Sequence, residues 1–179
     1  MSATDQQLDK IKLVAPTLRA VWQAIDKRSM CSALLMTIIE RHPPFLRHFG
    51  LPTDMSIEAA ARTAPLAQQI ERIQVFFEST FTLIGFTDRE QLARHCQQVG
   101  KIHYHYGVNF TADQWLVFKR SICECFCRAA ATLSMSRSER KNTEPFINFL
   151  MSVIIGEMKA GFTSRVLEVH QRGARETTV

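Results

Sequence analysis

The sequence contains no apolar run that approaches the roughly 20 residues needed to cross a bilayer. It starts with neither a basic segment followed by an apolar stretch nor a glycine at position 2 that could carry a myristoyl group. We therefore expect a cytoplasmic protein without a transmembrane segment. Its five cysteines include no Cys-x-x-Cys pair, so they predict neither a zinc site nor a disulfide framework, and we expect reduced thiols.

An excess of charge of one sign is also missing. The 22 Lys and Arg residues outnumber the 17 Asp and Glu residues by only five, and they are scattered along the chain. This pattern does not predict a nucleic-acid surface. With 46% apolar and 22% charged residues, the 179-residue chain has the composition of one globular domain with a single core.

Glycine and proline are few, at 7 and 6 residues, and they fall between long segments whose apolar residues recur every three or four positions. That period is typical of amphipathic helices. The sequence therefore predicts an all-α fold of six to eight helices. It also predicts a single domain over residues 1–170 and a flexible C-terminal tail over residues 171–179.

The first predicted helix carries apolar residues from Leu8 to Ile25, and Pro16 should kink or split it. The polar stretch Ser134–Asn142 predicts a loop. The other predicted helices are Ser29–Arg41, a short turn-rich helix around Phe45 and Phe49, Ser56–Ala61, Ala64–Gly85, a helix from the capping box Thr87–Glu90 to about Tyr106, a helix capped by Thr111 that reaches Phe126, and Thr143–Met158.

The most informative stretch runs from Cys96 to Val108. A helix with one apolar face carries His103 near its end and stops at Tyr106-Gly107-Val108. Such a helix would hold an imidazole over a pocket while the chain turns away. His105 lies two residues further along, about 200° around the helix, so it cannot replace His103 without a shift of register and is expected to be exposed.

The order of several such features resembles the globins. Trp22 lies near the end of the first helix, Pro43 follows the second, and Phe49 stands six residues after that proline. The segments Val99–His103 and Tyr106–Val108 follow. In globins these correspond to a core tryptophan, a helix-ending proline, a phenylalanine that stacks on haem, the proximal histidine segment and the turn into the next helix. The resemblance covers roughly residues 5–168 and implies the globin fold.

The resemblance implies a haem b cofactor with His103 as the proximal iron ligand, since a neutral imidazole can give one nitrogen to iron while the other donates to a carbonyl group. Tyr104 and Tyr106 would either flank the haem-facing surface or pack in the core. The other residues implied to contact haem are Leu35, Phe49, Gln69, Arg72, Ile73, Phe76, Val99, Tyr106, Val108, Trp115 and Phe118.

The distal side departs from the common globin pattern because no histidine occurs between His48 and His95. Gln69 matches the distal position, with Ile73 over the ring and Arg72 either pairing with a haem propionate or standing as a solvated charge. A register shifted by three residues would instead place Arg72 at the iron and Phe76 over the ring. We favour Gln69, whose amide could hydrogen-bond to bound dioxygen. The sixth site should then be open or weakly occupied by water.

Two further features have ordinary and functional interpretations. Cys123, Cys125 and Cys127 lie on one helix, Cys125 opposite the other two, and they are interpreted as small apolar residues, with redox sensing as the alternative. The C-terminal sequence Glu176–Val179 resembles the ligands of PDZ domains, which bind a terminal carboxylate.

Three functions remain open at this point. The first is reversible binding of dioxygen, carbon monoxide or nitric oxide, for oxygen sensing, storage or transport. The second is a redox enzyme that turns over dioxygen or nitric oxide with electrons from a separate reductase, because the chain has no flavin- or nicotinamide-binding segment. The third is an interaction module that has lost haem, against which the presence of His103 and Phe49 argues. We favour gas binding.

Overall fold

The computed structural model describes residues 3–86 and 89–176, with side chains described over 12–84 and 90–172. Every regular element in these ranges is helical, which confirms the all-α class. The elements are α1 (Ala3–Ala24), α2 (Lys27–Arg41), a 3-10 helix (Pro43–Phe49), α3 (Ile57–Ala61), α4 (Ala64–Phe86), α5 (Arg89–His105), α6 (Ala112–Ala131) and α7 (Arg137–Glu176). The capping box predicted at Thr87–Glu90 includes residues outside the described ranges.

The first helix is not split at Pro16. It continues through the proline to Ala24. The buried side chains Val14, Leu18 and Val21 lie on both sides of Pro16 and face the core together, so packing outweighs the hydrogen bond that proline cannot donate.

The loop predicted at Ser134–Asn142 is wrong for most of its length. The Ser136 side chain accepts a hydrogen bond from the Glu139 amide at 3.2 Å, and the Glu139 carboxylate accepts one from the Ser136 amide at 2.9 Å. This reciprocal cap starts α7 at Arg137 and leaves Pro145 inside the helix. At its other end α7 continues to Glu176, six residues into the segment predicted as a tail, and residues 177–179 lie outside the described ranges.

Aromatic rings join the helices at the centre of the core. Trp22 of α1 stacks on Phe81 of α4 with ring centroids 4.8 Å apart, and Phe81 stacks on Phe126 of α6 at 5.7 Å. Fully buried residues of α7, among them Ile147 and Leu150, complete this core. By length and composition, α7 is the one described helix that could cross a membrane, and 39% of its most apolar window is buried inside the fold.

Helix α5 packs mainly on α7 and only lightly on α4. Gln97 donates a hydrogen bond to Glu157 at 2.8 Å, Lys101 pairs with Glu168 at 3.2 Å, and the ring of Tyr104 meets that of Phe162 at 5.4 Å. The long last helix therefore fixes the position of the helix that carries His103.

Candidate functional site

The end of α5 is closed by a Schellman motif. The amide of Gly107 donates to the carbonyl of Tyr104 at 3.0 Å, and the amide of Val108 donates to the carbonyl of His103 at 2.9 Å. Gly107 has a φ of 68°, in the left-handed region that glycine adopts most readily. The sequence Tyr106-Gly107-Val108 thus ends the helix and brings Val108 back beside the turn that carries His103.

The imidazole of His103 is held in a half-buried position with its Nδ1 atom buried and without a hydrogen-bond partner. Burial is the main cause that lowers its pKa below the ordinary value of about 6.5, and the nearby His48 lowers it further. A contact with the Val99 carbonyl, one turn earlier and outside standard hydrogen-bond geometry at Nδ1, raises the pKa and so acts in the opposite direction. At neutral pH the ring is therefore neutral, the form in which histidine binds metals.

A cavity of about 250 Å³ adjoins His103. It lies between α5, the following turn, the start of α6 and the middle of α7. The lining residues are Gly100, His103, Val108, Asn109, Phe110, Ala112, Trp115, Met158, Lys159, Phe162 and Thr163. The structure thus brings together three residues that the sequence had proposed for one site, His103, Val108 and Trp115.

Phe110 is the centre of the aromatic contacts in this cavity. Its ring meets the ring of His103 at 5.1 Å and that of Trp115 at 4.9 Å, and it also contacts Phe45 at 5.7 Å. The ammonium group of Lys159 lies 5.7 Å from the Trp115 ring centroid, a cation–π distance. One wall of His103 is therefore apolar and aromatic, with a cation at its edge.

The facing sides of α4 and α5 are identified by one ring contact. Phe76 of α4 stacks on His95 of α5, with centroids 5.1 Å apart and planes inclined by 12°. Helical spacing places Gln69 and Ile73 on the same side of α4 as Phe76. It likewise places Val99 and His103 on the same side of α5 as His95.

Because α4 ends at Phe86 and α5 begins at Arg89, we expect the two helices to run in opposite directions. In that arrangement Gln69 would lie on the His103 side of the Phe76–His95 contact. Ile73 and Val99 are only half-buried here, and Ile102 keeps 43% of its surface exposed. We use the name α4–α5 crevice for the region between these facing sides of the two helices, marked by Gln69 and Ile73 on α4 and by Val99 and His103 on α5.

The remaining predicted residues occupy different environments. Leu35 is buried in the core with 4% exposure, and Phe49 is half-buried and packs against the core. Phe118 is half-buried, and its ring lies 6.5 Å from that of Trp115. Arg72 and His105 are exposed, the latter as expected. Tyr106 is 74% exposed and its ring meets that of the exposed His105 at 5.3 Å, so core packing, one of its two interpretations, is wrong.

Sequence reasoning missed several residues beside His103. Phe110 could have been noted as the first aromatic residue after the glycine turn. Met158, Lys159 and Phe162 carried no such signal, because the pairing of α5 with α7 depends on contacts between distant parts of the chain. Among the described side chains, no group of three His, Cys, Asp or Glu lies close enough to hold a metal ion, so any metal here would depend on another group for its remaining ligands.

The fold is similar to those of solved insect globins. A Drosophila melanogaster globin matches with a TM-score of 0.59 and 17% identity over 87% of this chain and 94% of that chain. A structure of the Drosophila melanogaster hexa-coordinate haemoglobin, on cyanide binding and haem-cavity transitions, gives the same values. Haemoglobin from the botfly Gasterophilus intestinalis gives 0.57 and 12% over 88% of this chain and 99% of that chain. No protein-family model and no curated protein sequence matches the chain.

Proposed function

We propose that this chain, which has the globin fold, is a haem protein that binds a diatomic gas reversibly, with His103 as the axial ligand. The observation that carries the proposal is the position of His103. It is a neutral, half-buried imidazole on α5, on the side of that helix that carries Val99 and also His95, whose ring stacks on Phe76 of α4. The expected gases are dioxygen, carbon monoxide and nitric oxide.

The residues at the site fit haem in their chemistry. A haem ring is flat and apolar, and the crevice offers Ile73, Val99 and the exposed Ile102 as apolar surface. The buried Nδ1 atom of His103 and the nearby Val99 carbonyl favour coordination through the other ring nitrogen. His103 would hold haem through its iron, and the bound haem would supply the iron chemistry that binds a diatomic gas.

Helical spacing places Gln69 on the side of α4 that carries Phe76, which stacks on His95 of α5. We infer that the Gln69 amide donates a hydrogen bond to the gas and so slows its release. The alternative register is less well supported, since Phe76 stacks on His95 and Arg72 is exposed. We also expect an open sixth site, because the side of α4 that faces the crevice carries no histidine.

The finer assignments rest on the sequence. Haem b is the form of haem that the resemblance to globins implies. Cytoplasmic location, a reductase partner and a PDZ-domain partner stay predictions. No observation on the described residues favours the redox alternative, so it stands only as an outcome of the experiment below.

The experiment is absorption spectroscopy of the protein loaded with haem. We expect the reduced protein to give a five-coordinate spectrum that shifts on adding carbon monoxide and returns when the gas is removed. His103→Gly should lose this spectrum, and free imidazole should restore it by occupying the space left by the ring. His105→Ala is the matched control, because it removes an exposed histidine two residues away and should change nothing.

Two outcomes would contradict the proposal. A wild-type protein that takes up no haem would leave only the interaction module. A spectrum showing that the reduced iron is already six-coordinate would mean that a side chain occupies the sixth coordination position. That result would favour electron transfer over gas binding.

A further inference from the structure

Two glycines allow α5 and α7 to meet backbone to backbone. Gly100 of α5 and Gly161 of α7 are both buried. A Cβ atom at Gly100 would overlap the carbonyl oxygen of Met158, and one at Gly161 would overlap the carbonyl oxygen of Gln97. The hydrogen that each glycine carries in place of a side chain therefore points at a carbonyl group of the other helix, a recurring contact at close helix crossings.

Polar contacts on both sides of Gly100 hold this crossing in register. Gln97 donates a hydrogen bond to Glu157 at 2.8 Å, and Lys101 pairs with Glu168 at 3.2 Å. These two polar contacts resist separation of the helices only weakly. The backbone contact at the glycines resists closer approach more strongly. The glycines therefore set the distance between α5 and α7, and the polar pairs set their alignment.

His103 follows Gly100 by less than one helical turn. A shift of α5 away from α7 therefore moves the imidazole by a similar distance. On its other side α5 is restrained only lightly, mainly where Phe76 meets His95 near the start of the helix. The position of His103 relative to α4 thus depends on α7.

We propose that Gly100 and Gly161 are positioning residues for His103, because their contact sets how far the imidazole stands from α4. The inference rests on the proposed function in one respect, that the α4–α5 crevice holds haem. A methyl group at either glycine forces α5 toward α4, which displaces the axial imidazole and narrows the crevice.

The first test compares Gly161→Ala with Gly156→Ala, both in α7. A Cβ atom added at Gly156 would meet nothing within 4 Å, so this replacement should leave the site unchanged and strengthen the helix. We expect Gly161→Ala to release haem to an excess of apomyoglobin severalfold faster, and to shift the iron–histidine stretching band of the reduced protein. A change in stability alone would not move that band in the folded fraction.

A second variant covers the case in which Gly161→Ala does not fold. Gln97→Ala removes the hydrogen bond to Glu157 at the same crossing without adding an atom. It should shift the same band and raise the rate of haem release, by less than Gly161→Ala would. The proposal would be overturned if Gln97→Ala kept the wild-type iron–histidine band and the wild-type rate of haem release, while Gly161→Ala was either unfolded or also unchanged.

A measurement without haem separates this proposal from the proposed function. The ring of His103 lies 5.1 Å from that of Phe110, so ring currents should shift its proton resonances. In the haem-free protein, Gly161→Ala or Gln97→Ala should move these resonances and Gly156→Ala should not. If the wild type binds no haem, the proposed function fails, and these resonances alone decide whether the crossing positions His103. Unchanged resonances in both variants would overturn the proposal.

Discussion

The amide of Val108 donates a 2.9 Å hydrogen bond to the carbonyl oxygen of His103. This bond connects the helical turn that carries the candidate ligand to the loop that lines the adjoining cavity. It forms only because Gly107, between the two, takes a φ of 68°. The backbone conformation of one glycine is therefore coupled to the placement of the imidazole.

Gly107→Ala should lower the free energy of unfolding by about 1–2 kcal/mol, since a side chain disfavours the left-handed conformation by that amount. Nothing lies within 4 Å of the added methyl group, so conformational strain is the only expected cost. Urea unfolding followed by circular dichroism measures it. Gly156→Ala is the control and should be as stable as the wild type or more so. Equal stability of Gly107→Ala and the wild type would show that the turn tolerates a side chain or rearranges.

The stability of the haem-free protein should fall as the pH drops below about 6.5, the ordinary pKa of histidine. Burial lowers the pKa of His103 in the folded chain, so the unfolded chain takes up the proton first. The contribution of the neutral ring is complete above pH of about 6.5 and is lost as the pH falls toward the lower folded pKa.

Urea unfolding at several pH values tests this dependence. His103→Gln should flatten it in part, since burial also lowers the pKa of His48, and His105→Gln should leave it unchanged. A His103→Gln variant with the full wild-type slope would place the titrating groups elsewhere.

The cysteines of α6 should react slowly with alkylating reagents. Burial raises the pKa of Cys123 and Cys127 to about 11 from 9.0. At neutral pH, where thiolate is the reactive form, this lowers the thiolate fraction about a hundredfold. Iodoacetamide labelling of the folded protein, with sites assigned by mass spectrometry, measures the rates, and the urea-unfolded chain is the control. Labelling of either thiol at the unfolded rate would favour redox sensing over the packing interpretation.

How much the sequence could predict depended on the range of the interactions involved. The apolar period of α4 and the Tyr106-Gly107-Val108 turn are local, and they correctly predicted a long helix and the end of the histidine helix. The start of α7 was missed because a capping pair, Ser136 and Glu139, stands in a polar stretch that is typical of loops.

The α7 side of the site could not be predicted in the same way. The contacts of Gly100 with Met158 and of Gly161 with Gln97 join residues about 60 positions apart. Each glycine alone in a helix indicates only a local weakness. Their function becomes apparent only when the two helices are seen to cross.

Gln69→Leu should raise the rate of dioxygen release about 2- to 10-fold, which corresponds to the net contribution of about 0.5–1.5 kcal/mol from one hydrogen bond. The physical reason is that leucine fills a similar volume in the crevice but donates no hydrogen bond. Stopped-flow displacement of dioxygen by carbon monoxide measures the rate, and carbon monoxide release, which depends less on a hydrogen-bond donor, is measured in parallel.

The Arg72→Leu variant tests which residue of α4, Gln69 or Arg72, occupies the distal position. It removes the other donor proposed for the distal position, one turn from Gln69 along the same helix, and the exposure of Arg72 leads us to expect little change in dioxygen release. A larger effect from Arg72→Leu than from Gln69→Leu would mean that haem sits three residues further along α4, with Phe76 rather than Ile73 over the ring. That register would require Phe76 to leave its stack on His95, so the same result predicts altered His95 ring resonances on haem binding.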